Sequence, residues 1–140
     1  MVDDTSIEWD IELIPDEDNL FLRIHSNLLR FDFDFTKKKV PINVFRVHKV
    51  GMSVNWSKYS TPQKTLLEAR EPEKNGVIEM NTGKLRDIPP LDVIHAPNTE
   101  NRAHSNVINI PEKEPKKIKV RYNLSEISEW IILPKTNLKK

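Results

Sequence analysis

Short segments that alternate apolar and polar residues at a period of two constrain the fold of this chain more than any other feature. Such alternation is typical of β-strands with one buried face. It is clearest in residues 6–14, 31–35 and 118–124, and prolines or polar turns separate these runs from their neighbours. The chain is therefore predicted to be rich in short strands.

Further apolar runs with many β-branched residues extend this pattern. They occupy residues 20–25, 44–54, 77–80, 91–94 and 102–110. Gly51 interrupts the run at 44–54, where a β-bulge or a close approach of two backbone segments is expected. All these runs together predict about seven or eight short strands in one or two sheets.

Two short helices are predicted beside these strands. Ser60 or Thr61 is expected to cap a central helix that has Pro62 in its first turn and extends for about ten residues. Ser125 is expected to cap a C-terminal helix that Pro134 ends. The predicted fold class is α+β, mostly β, with both helices packed on the sheets.

Length and composition predict one domain and an intracellular setting. At 140 residues the chain is long enough for one core, so residues 1–134 are expected to form a single domain and 135–140 a frayed basic tail. The absence of cysteine excludes disulfides and thiolate sites and fits a reducing compartment. Neither a basic leader nor a long apolar run is present. We therefore expect a cytoplasmic protein with no signal peptide and no membrane span.

The charge and motif content narrow the classes of ligand. The formal net charge is +1, from 22 Lys and Arg against 21 Asp and Glu, which argues against generic electrostatic binding of nucleic acid. No glycine-rich phosphate loop and no Gly-x-Ser-x-Gly elbow occur, and the four histidines lack metal-site spacing. We expect a protein partner, no metal and no cofactor, and the sequence leaves the oligomeric state open.

A polar loop at residues 55–60 joins the central strand to the central helix, which is a common position for binding groups. Trp56 and Tyr59 in this loop suit stacking on a base, a nicotinamide or a peptide. Alternatively, one plugs the edge of the core and the other covers the start of the helix. The candidate binding residues are Arg23, His25, Ser53, Trp56, Tyr59, Ser60, Arg102 and His104.

Five of these candidates are predicted to converge in space. Each is a polar side chain in or beside an apolar strand run, where burial without a partner costs about 1–3 kcal/mol. The five residues are Arg23, His25, Tyr59, Arg102 and His104.

The order of the parts over about residues 18–124 resembles the ADP-ribosyltransferase fold, including RES-type toxins and RNA 2′-phosphotransferases. The resemblance lies in the LFLRIH run, the GMS segment before the WSKYS loop, the STPQKTLLEA helix and the late strand with His104. It implies that Arg23 or His25 holds NAD and that Ser53, Tyr59 or Ser60 supports the nicotinamide ribose. The late strand offers no glutamate, unlike the family pattern. The phrases GMSVNWSKYSTP and NRAHSNV also resemble small bacterial proteins and imply a bacterial or phage origin.

Two functional hypotheses follow. The first is a small cytoplasmic accessory or protein-interaction domain of a bacterial or phage system. The alternative is an NAD-using ADP-ribosyltransferase-like enzyme, or a relative that keeps the pocket and has lost the reaction. The sequence leaves open whether the chain is an enzyme and which residues would be catalytic. A deep cleft that holds Arg23 or His25 together with Tyr59 and His104 would favour the enzyme, whereas a flat or apolar patch elsewhere would favour the interaction domain.

Overall fold

The computed structural model describes residues 9–29, 33, 39–46 and 48–135. Over these residues it contains six strands: β1 (Asn19–His25), β2 (Met52–Trp56), β3 (Asn75–Asn81), β4 (Asp92–His95), β5 (His104–Ile108) and β6 (Ser128–Ile132). Its α-helices are α1 (Pro62–Leu67), α2 (Thr82–Arg86) and α3 (Lys116–Ile127). Short 3₁₀ turns lie at Ser26–Leu28, Ile42–Val44 and Pro72–Lys74.

The strands form one antiparallel sheet in the order β4-β5-β2-β1-β3-β6. Because successive strand residues point to opposite faces, Leu20, Leu22 and Ile24 of β1 share one face of the sheet. These side chains are buried in the hydrophobic core. Each such burial stabilises the fold by about 1.5–3 kcal/mol. The core is completed by Leu85 of α2, by Val120 and Leu124 of α3, and by Phe45 beside the second 3₁₀ turn.

The opposite face of the sheet is polar around its middle strands. Phe21 and Arg23 of β1 lie there, and the register places Asn55 of β2 beside both Phe21 and His104 of β5. Helix α1 covers part of this face, since Thr65 contacts Arg23 and Asn55. The sheet therefore has one side for the core and one side that offers polar groups to solvent.

The predicted fold class is confirmed as mostly β and α+β, but the described residues contain six strands rather than the predicted seven or eight. Of the strand predicted at residues 6–14, the described part from 9 to 14 forms no strand. Leu13 is 93% exposed and Ile14 is buried, the reverse of the alternation. This segment is held by polar contacts of Glu12 rather than by strand pairing. The strand predicted at 31–35 lies outside the described residues except for Phe33.

In the C-terminal part of the described chain, a helix stands where a strand is predicted, and a strand stands where a helix is predicted. The strand predicted at 118–124 is part of α3, in which Val120 and Leu124 are buried one helical turn apart while Ile118 and Tyr122 are exposed. Where a helix is predicted to begin after Ser125, α3 instead ends at Ile127. Strand β6 follows and pairs with β3. Residues 128–132 form a strand because they pair with the edge of β3. The predicted C-terminal helix is therefore wrong in position.

The central strand and helix are both shorter than predicted. In the run at 44–54 only the part from Met52 is strand, because Gly51 has a φ of 109° and directly precedes β2. A Cβ atom at Gly51 would lie 2.6 Å from the Val107 carbonyl oxygen. The cap prediction is confirmed for Thr61, whose Oγ1 accepts a 3.1 Å bond from the Lys64 amide. Helix α1 begins at Pro62 and has 6 residues.

Candidate functional site

Strands β1 and β2 separate after a short pairing, and a cleft opens between them. They pair only at Leu20 with Trp56 and at Phe21 with Asn55. Beyond these pairs β1 continues along β3 and β2 continues along β5. The space between the diverging strands is a cavity of ≈ 370 Å³, which we call the β1/β2 cleft. Cavities of about 300–1,000 Å³ are typical of ligand sites.

Polar side chains from several segments line this cleft. Arg23 comes from β1, and Arg46 and His48 come from the chain that leads to β2. The remaining polar lining residues are Ser53, Asn55, Thr65, Glu68, Asn101 and His104. Arg23 and Arg46 carry positive charge and Glu68 carries negative charge, so the lining has an excess of cationic groups. The cleft is suited to an anionic ligand.

Ser53 and His104 form a hydrogen-bonded pair in the cleft. His104 Nδ1 lies 2.8 Å from the Ala96 carbonyl oxygen, which can only accept, so Nδ1 carries a proton. In the neutral ring Nε2 is then an acceptor, and Ser53 Oγ donates to it over 3.2 Å. The two residues come from neighbouring strands, since Ser53 is opposite Asn106 and His104 is opposite Asn55. They are diagonal neighbours on one face of the sheet.

Asn55 connects one wall of the cleft to helix α1. Its Nδ2 donates to Thr65 Oγ1 at 3.1 Å and to Glu68 Oε1 at 2.9 Å, and its Oδ1 accepts from Asn101 Nδ2 at 2.8 Å. Arg23 Nη1 donates to the Thr65 carbonyl at 3.2 Å. The wall is therefore held by bonds within the chain, while the exposed Arg23 and Ser53 side chains border open space.

A second polar group, which we call the Glu12 cluster, consists of Trp9, Glu12, Lys58, Tyr59 and Arg102. Glu12 Oε1 lies 2.6 Å from Lys58 Nζ, Tyr59 donates its hydroxyl proton to Glu12 Oε2, and Arg102 Nη2 lies 3.8 Å from the same oxygen. The Arg102 guanidinium carbon is 4.1 Å from the Tyr59 ring centroid and 4.5 Å from that of Trp9. This cluster fastens the segment before β1 to the loop after β2.

The ionisation of the Glu12 cluster follows from these contacts. The hydrogen bonds from Lys58 and then from Tyr59 lower the pKa of Glu12. The bond to Glu12 raises the pKa of Lys58. Both groups are therefore held in their charged forms at neutral pH.

His95 is buried beside the Glu12 cluster and forms hydrogen bonds with the backbone of two of its residues. It is 2% exposed, its Nδ1 accepts from the Glu12 amide at 3.0 Å, and its Nε2 donates to the Arg102 carbonyl at 2.7 Å. Its ring centroid lies 5.0 Å from that of Trp56 and 6.1 Å from that of Tyr59. Both ring nitrogens are thus engaged within the chain.

The predicted site residues divide among several places. Arg23, Ser53 and His104 line the β1/β2 cleft. Tyr59 and Arg102 belong to the Glu12 cluster. The five side chains predicted to converge therefore do not form one group. Polar residues therefore occur in or beside apolar runs for different reasons. Tyr59 and Arg102 bind Glu12 in the segment before β1, whereas the other residues named above line the cleft.

The remaining candidates have local structural partners. Trp56 is 1% exposed in the core and donates from Nε1 to Asp18 at 2.8 Å, as in the alternative that places it at the edge of the core. Ser60 is buried with its Oγ 3.0 Å from Thr65 Oγ1. His25 Nδ1 accepts from the Asn27 amide at 3.0 Å at the end of β1.

Sequence reasoning missed Glu68 in the cleft and Glu12 in the second cluster. No local motif marks them, because each finds its partner in another segment of the chain. The alternation predicts Glu12 on the solvent side of a strand, and the described part of that segment, residues 9–14, is not a strand. Arg46 and His48, which also line the cleft, were not among the predicted site residues. Their spacing of two was a usable signal, because it puts both side chains on one side of an extended segment.

Comparison with known proteins adds nothing to this geometry: no protein-family model, no curated protein and no solved structure matches the chain. Within the described ranges, no set of three or more His, Asp or Glu side chains is arranged to hold a metal ion. None of the helices in the described part of the chain is long and apolar enough to cross a bilayer.

Proposed function

We propose that this chain is a protein-interaction domain whose β1/β2 cleft receives an extended, negatively charged segment of a partner protein. The observation that carries the proposal is the early separation of β1 and β2. From Leu22 onward along β1, and from Met52 to Val54 along β2, neither strand pairs with the other, although each is paired on its far side. Strand edges of this kind bind extended peptides through main-chain hydrogen bonds.

The charge of the cleft supports an acidic occupant. Arg23 and Arg46 line it, whereas Glu68, the one acidic lining residue in the described part of the chain, already accepts a hydrogen bond from Asn55. Complementary charge steers association and excludes partners of the wrong sign. In this proposal the domain acts as an accessory subunit in the cytoplasm of a bacterial or phage system.

The proposal is tested with fluorescently labelled extended peptides in which valine alternates with glutamate or with lysine. The acidic peptide should bind, as measured by anisotropy, and the basic one should not. Arg23→Gln should weaken binding of the acidic peptide about tenfold or more, since hydrogen bonds to charged groups contribute about 1.5–3 kcal/mol. Arg70→Gln is the matched control, because Arg70 is exposed and does not line the cleft. Equal binding of both peptides, or no effect of Arg23→Gln, contradicts the proposal.

A second candidate function is binding of NAD by an ADP-ribosyltransferase-like domain. It is supported by the position of Arg23 and Ser53, to which the resemblance gives the dinucleotide and ribose roles and which line the same cleft. NAD at a hundred times its dissociation constant should then stabilise the protein by about 2.7 kcal/mol. The stabilisation should be lost in Arg23→Gln and kept in Arg70→Gln. An unchanged melting temperature at millimolar NAD contradicts this candidate.

A further inference from the structure

We infer that Ser53 and His104 are a nucleophile and its general base, and that they give the β1/β2 cleft an ester-cleaving activity toward anionic esters. This goes beyond the proposed function, because the reaction needs the serine–histidine pair and the cleft but no partner protein. A serine hydroxyl becomes a nucleophile when a neighbouring base takes its proton and a third group orients that base. Ser53 and His104 line the cleft, and the Ala96 carbonyl, which binds the other ring nitrogen of His104, supplies the third group.

The tautomer of His104 makes its ring a base toward Ser53. The bond from Nδ1–H to the Ala96 carbonyl fixes the proton on Nδ1 and leaves the lone pair of Nε2 facing Ser53 Oγ. A carbonyl oxygen thus occupies the orienting position that a carboxylate holds in a Ser-His-Asp triad. It fixes the ring without a negative charge, so the expected reaction is slower than in a full triad.

Two of the other histidines, His95 and His25, show that this arrangement is not a general property of the fold. His95 accepts from an amide at Nδ1 and donates to a carbonyl at Nε2, so neither nitrogen faces a hydroxyl group. His25 accepts from the Asn27 amide and its Nε2 lies 3.9 Å from Glu71. Of the three, only His104 presents an accepting nitrogen to a serine, and that serine is exposed in the cleft.

The surroundings of Ser53 indicate the substrate class. Arg23 lines the same cleft from β1, and Arg46 lines it from the segment before β2. Guanidinium groups bind carboxylate and phosphate groups through charge-assisted hydrogen bonds. The substrate we infer is therefore a carboxylic ester that carries a second, negatively charged group.

The reaction balances with these residues and water. Ser53 Oγ attacks the ester carbonyl carbon, the Oγ–C bond forms, and the hydroxyl proton passes to His104 Nε2. The bond from that carbon to the alcohol oxygen breaks, and the alcohol leaves with the proton from Nε2. Water then attacks the acyl-serine and gives a proton to Nε2. The Oγ–C bond breaks, Ser53 regains this proton, and the carboxylic acid is released.

A fluorophosphonate probe tests the nucleophile directly on the intact chain. Ser53 Oγ should form a bond to phosphorus while fluoride leaves, and mass spectrometry of peptides should locate the adduct on Ser53. His104→Gln keeps hydrogen-bonding groups at this position but removes the base, so labelling should slow about a hundredfold or more. Ser57→Ala is the matched control, because the Ser57 hydroxyl accepts from the Asn19 amide and serves a structural role; it should leave labelling of Ser53 unchanged.

Ester hydrolysis tests the substrate class. The para-nitrophenyl monoester of succinate should be cleaved faster than para-nitrophenyl acetate, and Arg23→Gln should bring the ratio of the two rates close to one. No adduct on Ser53, or labelling that is insensitive to His104→Gln, overturns the inference. If the intact chain is labelled at Ser53 but does not bind the acidic peptide, the proposed function alone is contradicted. If it binds the acidic peptide but is not labelled at Ser53, this inference alone is contradicted.

Discussion

The β1/β2 cleft and the Glu12 cluster are built from the same kinds of residue but use them differently. In the Glu12 cluster the carboxylate has Lys58, Tyr59 and Arg102 as partners, all supplied by the chain itself. In the cleft, Arg23 and Arg46 border ≈ 370 Å³ of open volume and no acid is paired with them in the described residues. The contrast indicates that one region holds the fold together and the other is free to bind.

The comparison also shows why a shifted pKa is a poor guide to function in this protein. Shifted pKa values often mark active sites, but structural ion pairs produce them as well. The pKa of Glu12 is lowered within a cluster that fastens the N-terminal segment. The hydrogen bond from Arg86 likewise lowers the pKa of Asp92, and Arg86 also binds Asp16 and the Ile14 carbonyl. Both sites attach residues 9–18 to the sheet.

The largest expected effect compares two residues of β2. Trp56→Ala should lower the free energy of unfolding by about 3–5 kcal/mol, because it removes a fully buried ring that packs against Tyr59 and His95. Ser53→Ala should change it by less than about 0.5 kcal/mol, because that side chain is exposed. Urea denaturation measures both values. Similar losses in the two variants would break the distinction between a structural cluster and a free cleft.

A smaller effect separates two arginines that the sequence presented as equivalent. Arg23→Gln should weaken binding of an acidic peptide about tenfold or more. Arg102→Gln should leave that affinity within about twofold, since Arg102 stacks on Trp9 and Tyr59 away from the cleft lining. Titration by anisotropy decides the matter. If Arg102→Gln proves the more damaging, the binding site lies at the Glu12 cluster instead.

Local chemistry allowed several elements to be predicted from the sequence. The run at 20–25 is strand β1, and residues 91–94 fall largely within β4, because each carries an apolar run bounded by turn residues. The start of α1 follows from the Thr61 cap and Pro62, which act within one turn. These signals need no knowledge of the rest of the fold.

Tertiary context decided the elements that were predicted wrongly. The alternation at 118–124 contains Val120 and Leu124, which suit a helix as well as a strand, and the core under the sheet selected the helix. The Ser53–His104 pair likewise depends on the register between β2 and β5, which the sequence does not reveal. Residue types at the site were predictable, whereas their grouping required the strand order.

The smallest expected effect is an acid-dependent release of residues 9–14. Because the pKa of Glu12 is lower in the folded state than its ordinary value of about 4.3, the contacts contribute stability above that value and lose it as the pH falls through the lowered pKa. The NMR signal of the Trp9 indole N–H should therefore shift toward its value in an unfolded peptide as the pH falls below the ordinary pKa of a glutamate, while signals from Phe21 stay unchanged.

Glu12→Gln isolates this effect from the other carboxylates, including Asp92. Glutamine cannot titrate and pairs weakly with Lys58, so the Trp9 signal of this variant should already be shifted at neutral pH and should lose most of its dependence on acid. Lys58→Gln gives an independent check, since it removes the partner with the largest influence on the pKa of Glu12 and should move the transition to higher pH. A Trp9 transition at the same pH in all three proteins would mean that Glu12 does not hold the segment, and the contrast with the cleft would then rest on Arg86 alone.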